Sequence, residues 1–247
     1  MYRKESLDLG KLYVIGIGPG SVENMTLRAV NALKKSEIVI GYTKYLEMIS
    51  ELIEGKKIFS TGMRGEIERC RKAVQLAENK IVSIVSTGDS GVYGMAGLVL
   101  ELGKCDNIEI IPGVTASLAA ASLVGAPLMH DSCSISLSDL MTPYDVIKGR
   151  VEFAAKGDFV ISLYNPKSKG RPFYLSECMG IIKKYRDSST PVAIVKNALR
   201  EGQNVVITEL GKFSDESVDM MSIVIIGSSS SYIKKGKFIT PRGYNIN

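Results

Sequence analysis

The sequence predicts an α/β protein of two domains, the first built on a parallel sheet and the second on a mixed one. Three observations point there. Through the first half of the chain, short continuous apolar runs alternate with segments of helical apolar spacing, the rhythm of strand–helix–strand units with parallel strands. The run VGAPLMHDSC, with Gly125 and Pro127, interrupts that rhythm and reads as a linker. Beyond it, three strand-like runs follow one another with short connections, which favours a mixed sheet. The domains are therefore expected at residues 1–127 and 128–247.

Residues 11–17, KLYVIGI, are mostly apolar and β-branched and run into glycine, so they predict a buried strand. The loop GPGSVENM leads into a helix over 26–35, with Thr26 placed as its cap. Residues 38–40 predict a second short strand. Helical spacing covers 42–53 and 64–78, and 81–85 is another continuous apolar strand. A helix over 92–102, a strand over 108–111 and a helix over 115–124 complete the first domain. In the second, strands near 134–137 and 159–163 flank a helix around 144–155. A helix over 173–185 precedes strands at 192–195, 204–209 and 222–226.

With 45% hydrophobic and 23% charged residues over 247 positions, the chain can bury a core without covalent or metal staples. Cys70, Cys105, Cys133 and Cys178 are widely spaced and form no C-x-x-C pair. That predicts reduced thiols in a cytoplasmic protein and no zinc or iron–sulfur site. The opening MYRKESLDLGKLYV lacks the apolar stretch of a signal peptide, and no segment reaches transmembrane length, so no membrane is expected. The net charge of +5 is spread in short groups such as Lys34-Lys35 and Lys56-Lys57. It suits a small polyanionic ligand as well as a nucleic acid.

Three glycine-rich strand ends carry the chemistry. The first, Gly16-Ile17-Gly18-Pro19-Gly20-Ser21, is not a dinucleotide loop. Pro19 removes a phosphate-binding N–H, Ser21 stands where the third glycine belongs, and the second strand ends Ile40-Gly41-Tyr42 with no acid for a ribose. A tight structural turn and a ligand-touching turn both remain open for it. The second, Ser86-Thr87-Gly88-Asp89-Ser90-Gly91-Val92-Tyr93-Gly94, lies where ligands gather in open α/β sheets. Its glycines permit close backbone approach. Asp89 suits a cationic ligand better than a phosphate, and it reads equally as a helix cap. The third, Ile111-Pro112-Gly113-Val114-Thr115-Ala116-Ser117, opens a helix that Thr115 could cap while touching a ligand.

Taken together, GIGPG, STGDSGVYG, PGVTAS, LYNPKSKGRP and VKNA occur in the order seen in the tetrapyrrole (precorrin) methylases, and the chain resembles that family over about residues 12–243. The segments HDSCSISLSDLMTP and LYNPKSKGR are similar to the branch acting on precorrin-3B or cobalt-factor III. The resemblance implies a class III methyltransferase fold of two α/β domains with the donor site in the cleft between them. It implies S-adenosylmethionine as methyl donor and methylation at C-17 with ring contraction in cobalamin biosynthesis. Related enzymes are homodimers, and no nucleic-acid partner is expected. Methylation at C-11 or C-20 and, further off, ribosomal-RNA ribose methylation are the rival activities. A non-catalytic nucleotide-binding module is the rival from another class.

By the same resemblance the donor contacts fall on Pro19, on Thr87, Gly88, Asp89 and Val92, on Thr115 and Ala116, and on Asn165 and Ala198. Cationic clamps for the carboxylate arms of a porphyrinoid are expected at Lys167, Lys169 and Arg171, with Arg64 as a further one. His130, the one histidine, and Asp131 are the candidates to assist ring rearrangement by proton transfer. A structural role for His130 is the alternative, as caps and turns are for Ser136, Ser138 and Asp139.

Overall fold

The computed structural model describes residues 10–103 and 105–245. Residues 1–9, on which part of the signal-peptide reading rests, lie outside them. The chain divides into two compact units, Met1–Ala116 and Ser117–Asn247.

The first unit holds a five-stranded sheet made of β1 (Lys11–Gly16), β2 (Ile38–Tyr42), β3 (Lys57–Thr61), β4 (Ile81–Ser86) and β5 (Ile108–Ile111). Its order is β3-β2-β4-β1-β5, and every pair is parallel. Alternate residues of β1 serve opposite faces. Tyr13 and Ile15 pack with Ala29, Ala32 and Leu33 of α1 (Leu27–Lys35) and Leu46 of α2 (Thr43–Glu47). Leu12 and Val14 pack with Cys70, Ala73 and Val74 of α3 (Glu66–Leu76) and Ala96 and Val99 of α4 (Ala96–Leu102). Thr26 caps α1 as the sequence predicts, its side chain accepting from the Ala29 N–H at 3.1 Å. The chain leaves β1 toward β2 on one face and leaves β4 toward β5 on the other. The sheet order therefore reverses direction between two adjacent strands, and their carboxyl ends are where a ligand enters such a sheet.

Three helical expectations are corrected. The helix expected over 42–53 is α2 followed by a separate 3-10 turn, Ser50–Leu52. The helix expected from Val92 starts only at Ala96. Tyr93 has a positive φ of 55°, and a side chain on Gly94 would lie 2.5 Å from the Ser90 carbonyl oxygen. The loop is thus held open for three residues past Val92 before the helix begins. The helix expected over 64–78 is shorter at both ends.

In the second unit, α5 (Ala116–Val124) is followed by β6 (Gly125–Ala126). The run read as a linker therefore contains a strand. Gly125 and Ala126 pair in parallel with Phe238 and Ile239 of β13 (Lys237–Ile239), which also pairs with β12 (Tyr232–Lys234). The main sheet has the order β10-β9-β11-β8-β7. Its strands are β7 (Ser132–Ser136), β8 (Val160–Tyr164), β9 (Pro191–Lys196), β10 (Asn204–Glu209) and β11 (Ser222–Ile226). Only β7–β8 pair in parallel, so the sheet is mixed as expected. One core joins Ile161, Leu163, Ile194, Val224 and Ile226 to α6 (Tyr144–Lys156) and α7 (Tyr174–Ile182). On the opposite face the Tyr164 hydroxyl donates to Ser117 Oγ at 2.9 Å, and the Ser117 N–H donates back to it at 3.0 Å, tying α5 to the sheet.

Candidate functional site

The three glycine loops of the first unit meet at the carboxyl ends of β1, β4 and β5, the three adjacent strands on one side of the sheet. Gly18 and Gly88 form an isolated antiparallel bridge, with N–H to carbonyl distances of 3.0 and 2.8 Å. Both take positive φ, 60° and 67°, which glycine adopts without strain. A Cβ on Gly113 would lie 2.3 Å from the Gly88 oxygen and 2.5 Å from the Gly16 oxygen. One on Gly16 would lie 2.7 Å from both the Gly113 nitrogen and the Gly88 oxygen. The three backbones touch because side chains are missing at these points.

Asp89 ties the second loop to the third. Its Oδ1 accepts from the Gly91 N–H at 2.8 Å and its Oδ2 from the Gly113 N–H at 2.9 Å. It caps no helix, since α4 begins seven residues later. Instead it spans two loops while remaining partly exposed, as do Thr87 and Gly88 beside it. Gly88 faces the third loop, its Cβ position 3.7 Å from both Thr115 Cα and the Ala116 nitrogen. Pro19 is buried at the turn of the first loop, and Val92 is half-buried. So the structure gathers Pro19, Thr87, Gly88, Asp89, Val92, Thr115 and Ala116 onto one end of one sheet. The result is a floor of close-packed backbone with a carboxylate set into it.

In the second unit, β7, β8 and β9 all run in one direction, because β8 and β9 are each antiparallel to β11. Their carboxyl ends carry Ser136 to Pro143, Asn165 to Arg171 and Asn197 onward. Asn165 and Asn197 both turn off their strands with positive φ, 50° and 47°, a conformation asparagine tolerates better than most residues. Asn165 Nδ2 donates to Ser136 Oγ at 2.9 Å, and the Asn197 N–H donates to the Met221 carbonyl at 3.1 Å. Ala198 is half-buried in the turn after Asn197.

The four expected cationic clamps separate into two kinds. Arg171 is 8% exposed and donates through Nη1 to the carbonyls of Leu137 and, at 3.2 Å, Asn165. Its Nε lies 3.6 Å from Asp139 and its Nη2 3.5 Å from Met220 Sδ. A guanidinium so committed has little left for a substrate carboxylate. Lys167 is likewise engaged, with the Asp215 carboxylate at 3.1 Å and the Asp215 carbonyl at 3.0 Å. Lys169 is exposed at the loop tip. Arg64, exposed at positive φ, lines a concavity of about 590 Å³ with Arg71, Lys72 and Ile67 on α3. No residue of the glycine loops lines it. Met220, Asp215 and Ser136 complete these contacts, and Met220 and Asp215 lie 49 and 48 positions from their partners, a distance at which no sequence pattern announces a pair.

His130 and Asp131 sit exposed just ahead of β7. His130 Nδ1 accepts from the Asp131 N–H at 2.8 Å, and an Asp131 carboxylate oxygen lies 3.5 Å from the same nitrogen. The shorter contact requires an unprotonated Nδ1, so the neutral ring carries its proton on Nε2. All four cysteines are free. Burial pushes the thiols of Cys70, Cys133 and Cys178 up to about 11, which keeps them protonated and unreactive at neutral pH. Among the described residues no group of three or more His, Cys, Asp or Glu is arranged to hold a metal ion, and no helix is long and apolar enough to cross a membrane.

The first unit is thus a parallel sheet with three adjacent strand ends fused through glycines, followed in sequence by a mixed-sheet unit. The chain belongs to the Tetrapyrrole (Corrin/Porphyrin) Methylases, whose family model matches residues 11–214. It is 49% identical over 240 residues to a probable cobalt-factor III C(17)-methyltransferase of Salmonella typhimurium, covering 95% of this chain and all of that protein. It is 38% identical to a precorrin-3B C(17)-methyltransferase of a Sinorhizobium species, covering 91% of each. The crystal structure of the methyltransferase CobJ matches with a TM-score of 0.89 at 33% identity, over 94% of this chain and all of that one.

Proposed function

We propose that this protein is an S-adenosylmethionine-dependent methyltransferase of cobalamin biosynthesis that methylates C-17 of cobalt-factor III or precorrin-3B and couples this to contraction of the macrocycle. The observation that carries the reading is the fused glycine floor with the Asp89 carboxylate set into it. A floor of backbone can approach a flat ligand more closely than side chains would allow, and its one charged group is an anion. Both features fit a donor with a planar adenine and a cationic sulfur, and the carboxylate disfavours a phosphate.

Bound there, S-adenosylmethionine supplies an activated methyl group. The protein's part is to hold the donor rigidly and exclude misaligned approaches. Such alignment contributes about 7–11 kcal/mol in favourable cases. The donor contacts are Pro19, Thr87, Gly88, Asp89, Val92, Thr115 and Ala116, with Asn165 and Ala198 from the second unit. In that unit Lys169 takes a carboxylate arm of the substrate, and Arg64 in the first unit is a further carboxylate contact. Lys167, held by Asp215, changes partner to do the same. His130, with its exposed side chain, or Asp131 moves the proton that ring rearrangement requires; wild-type turnover in both H130A and D131A would end that assignment. The enzyme acts in the cytoplasm as a homodimer, which sedimentation of the purified protein checks.

The deciding experiment is anaerobic incubation with cobalt-factor III and methyl-labelled S-adenosylmethionine, followed by NMR of the product. Label at C-17 of a contracted ring is expected. Label at C-11 or C-20 would assign a different regiochemistry. Absence of transfer to both cobalt-factor III and precorrin-3B would overturn the proposal.

A further inference from the structure

Arg171 connects three segments of the second unit that the chain brings together from far apart. Through Nη1 it donates to the carbonyl of Leu137, which follows β7, and to that of Asn165, which follows β8. Its Nη2 reaches Met220, two residues before β11. Its charge faces Asp139 at 3.6 Å, whose other oxygen accepts from the Tyr174 hydroxyl at 2.8 Å. The Tyr174 ring lies 5.9 Å from the guanidinium and stacks on Tyr144. Its own loop is closed by the Arg171 N–H donating to the Ser168 carbonyl at 3.0 Å.

Among these contacts, the one on Asn165 bears on a residue whose backbone has positive φ. A non-glycine residue at φ 50° lies in a sparsely populated region and persists when its surroundings fix it. Two groups do so here. Ser136 accepts from the side-chain amide and Arg171 donates to the main-chain carbonyl. The Asn165 side-chain amide is thereby turned toward Ser136.

We infer that Arg171 is a positioning residue for the methyl donor, acting by holding the Asn165 backbone in its left-handed conformation, and not a clamp on the tetrapyrrole's carboxylates. This rests on the reading of Asn165 as a donor contact. A buried guanidinium presents three nitrogens in a fixed plane, Nη1 on the two carbonyls, Nη2 toward Met220 and Nε toward Asp139, whereas lysine has one ammonium for all of them. At position 165 the important property is tolerance of positive φ, so glycine substitutes for asparagine and a β-branched residue does not.

The test measures S-adenosylhomocysteine affinity by calorimetry, the KM for cobalt-factor III and the melting temperature, in wild type, R171K, N165G and N165V. Wild type that fails to bind S-adenosylhomocysteine would overturn the functional reading itself, before any variant is considered. Given binding, R171K and N165V are expected to weaken it about tenfold with the tetrapyrrole KM unchanged, while N165G stays within about threefold of wild type. A raised tetrapyrrole KM in R171K with unchanged donor affinity would restore the clamp and overturn the inference. So would a lowered melting temperature with both affinities unchanged, which is the mark of a purely structural arginine. If R171K does not fold, N165G and N165V still decide: equal loss of donor affinity in both would show that the asparagine side chain, not the backbone conformation, is what the donor needs.

Discussion

The two units hold the loops at the carboxyl ends of their strands by opposite means. In the first, the loops after β1, β4 and β5 lock through absent side chains: Gly16, Gly88 and Gly113 bring main chain onto main chain. In the second, the loops after β7 and β8 are held by present ones, with Arg171, Asn165, Ser136, Lys167 and Asp215 each spanning between segments. A surface made of backbone is insensitive to which polar residues surround it and intolerant of any added atom. A surface made of side-chain ties tolerates added atoms at its exposed tips and is vulnerable to loss of a partner.

The sharpest break of that contrast is Gly113→Ala. The new methyl would meet two carbonyl oxygens at 2.3 and 2.5 Å, both main chain and neither able to swing aside. Overpacking of this kind costs about 3 kcal/mol, which lowers the melting temperature by roughly 6–12 °C in a chain of this size. Donor binding should be lost with it. An unchanged melting temperature with wild-type donor affinity would show that the three loops do not form a common floor.

Asp89 is the exception that sharpens the comparison, being a side-chain tie between two glycine loops of the first unit. Asp89→Ala frees the Gly91 and Gly113 N–H groups. Gly91 is exposed and can turn to water, so the cost is that of one charge-assisted bond, about 2 kcal/mol. The melting temperature should fall by roughly 4–8 °C, and calorimetry should show donor affinity falling as well. Asp89→Asn should recover much of the stability, since its amide oxygen still accepts one bond, but not the affinity for a cationic donor. Equal affinity in the asparagine variant and wild type would mean that the carboxylate serves the loops alone.

Much of this was legible in the sequence, and what was not has physical reasons. Continuous apolar runs such as 81–85 and 222–226 are buried on both faces, so their pattern needed no context. The strand β3 escaped because, at the sheet edge, KIFST alternates exposed and half-buried residues and carries no apolar run. The β12–β13 hairpin was hidden by its own turn, where Lys235 and Gly236 take φ values of 51° and 71°. Lysine at such a position is no turn signal, although the geometry is that of a two-residue hairpin. Gly125 read as a breaker, yet it is a strand residue because a Cβ there would lie 2.6 Å from the Phe238 oxygen. The glycine loops stand out as motifs, while the contacts of Arg171 with Leu137, Asn165 and Met220 do not. A buried arginine that binds carbonyls and one that binds a ligand have the same letter, and only burial and partners separate them.

The smallest effect tests whether charge matters to the first unit away from its loops. Glu109 on β5 pairs with Lys11 of β1 at 2.6 Å and with Arg28 of α1 at 2.8 Å, linking the strand edge to the helix. The hydrogen bond from Lys11 and then that from Arg28 hold its carboxyl below the ordinary 4.5. A carboxyl whose pKa is depressed by folding adds stability above its unfolded pKa and loses it as the pH falls through the folded one. Glu109→Gln should therefore cost less than about 1 kcal/mol at neutral pH, as exposed pairs do. The difference in melting temperature between the variant and wild type should shrink below about pH 4.5. It should also diminish in high salt, which screens exposed pairs. A difference constant from pH 7 to pH 3 would mean that Glu109 contributes through packing and not through charge. The first unit would then owe its rigidity to close contact at its edge as well as at its glycine floor.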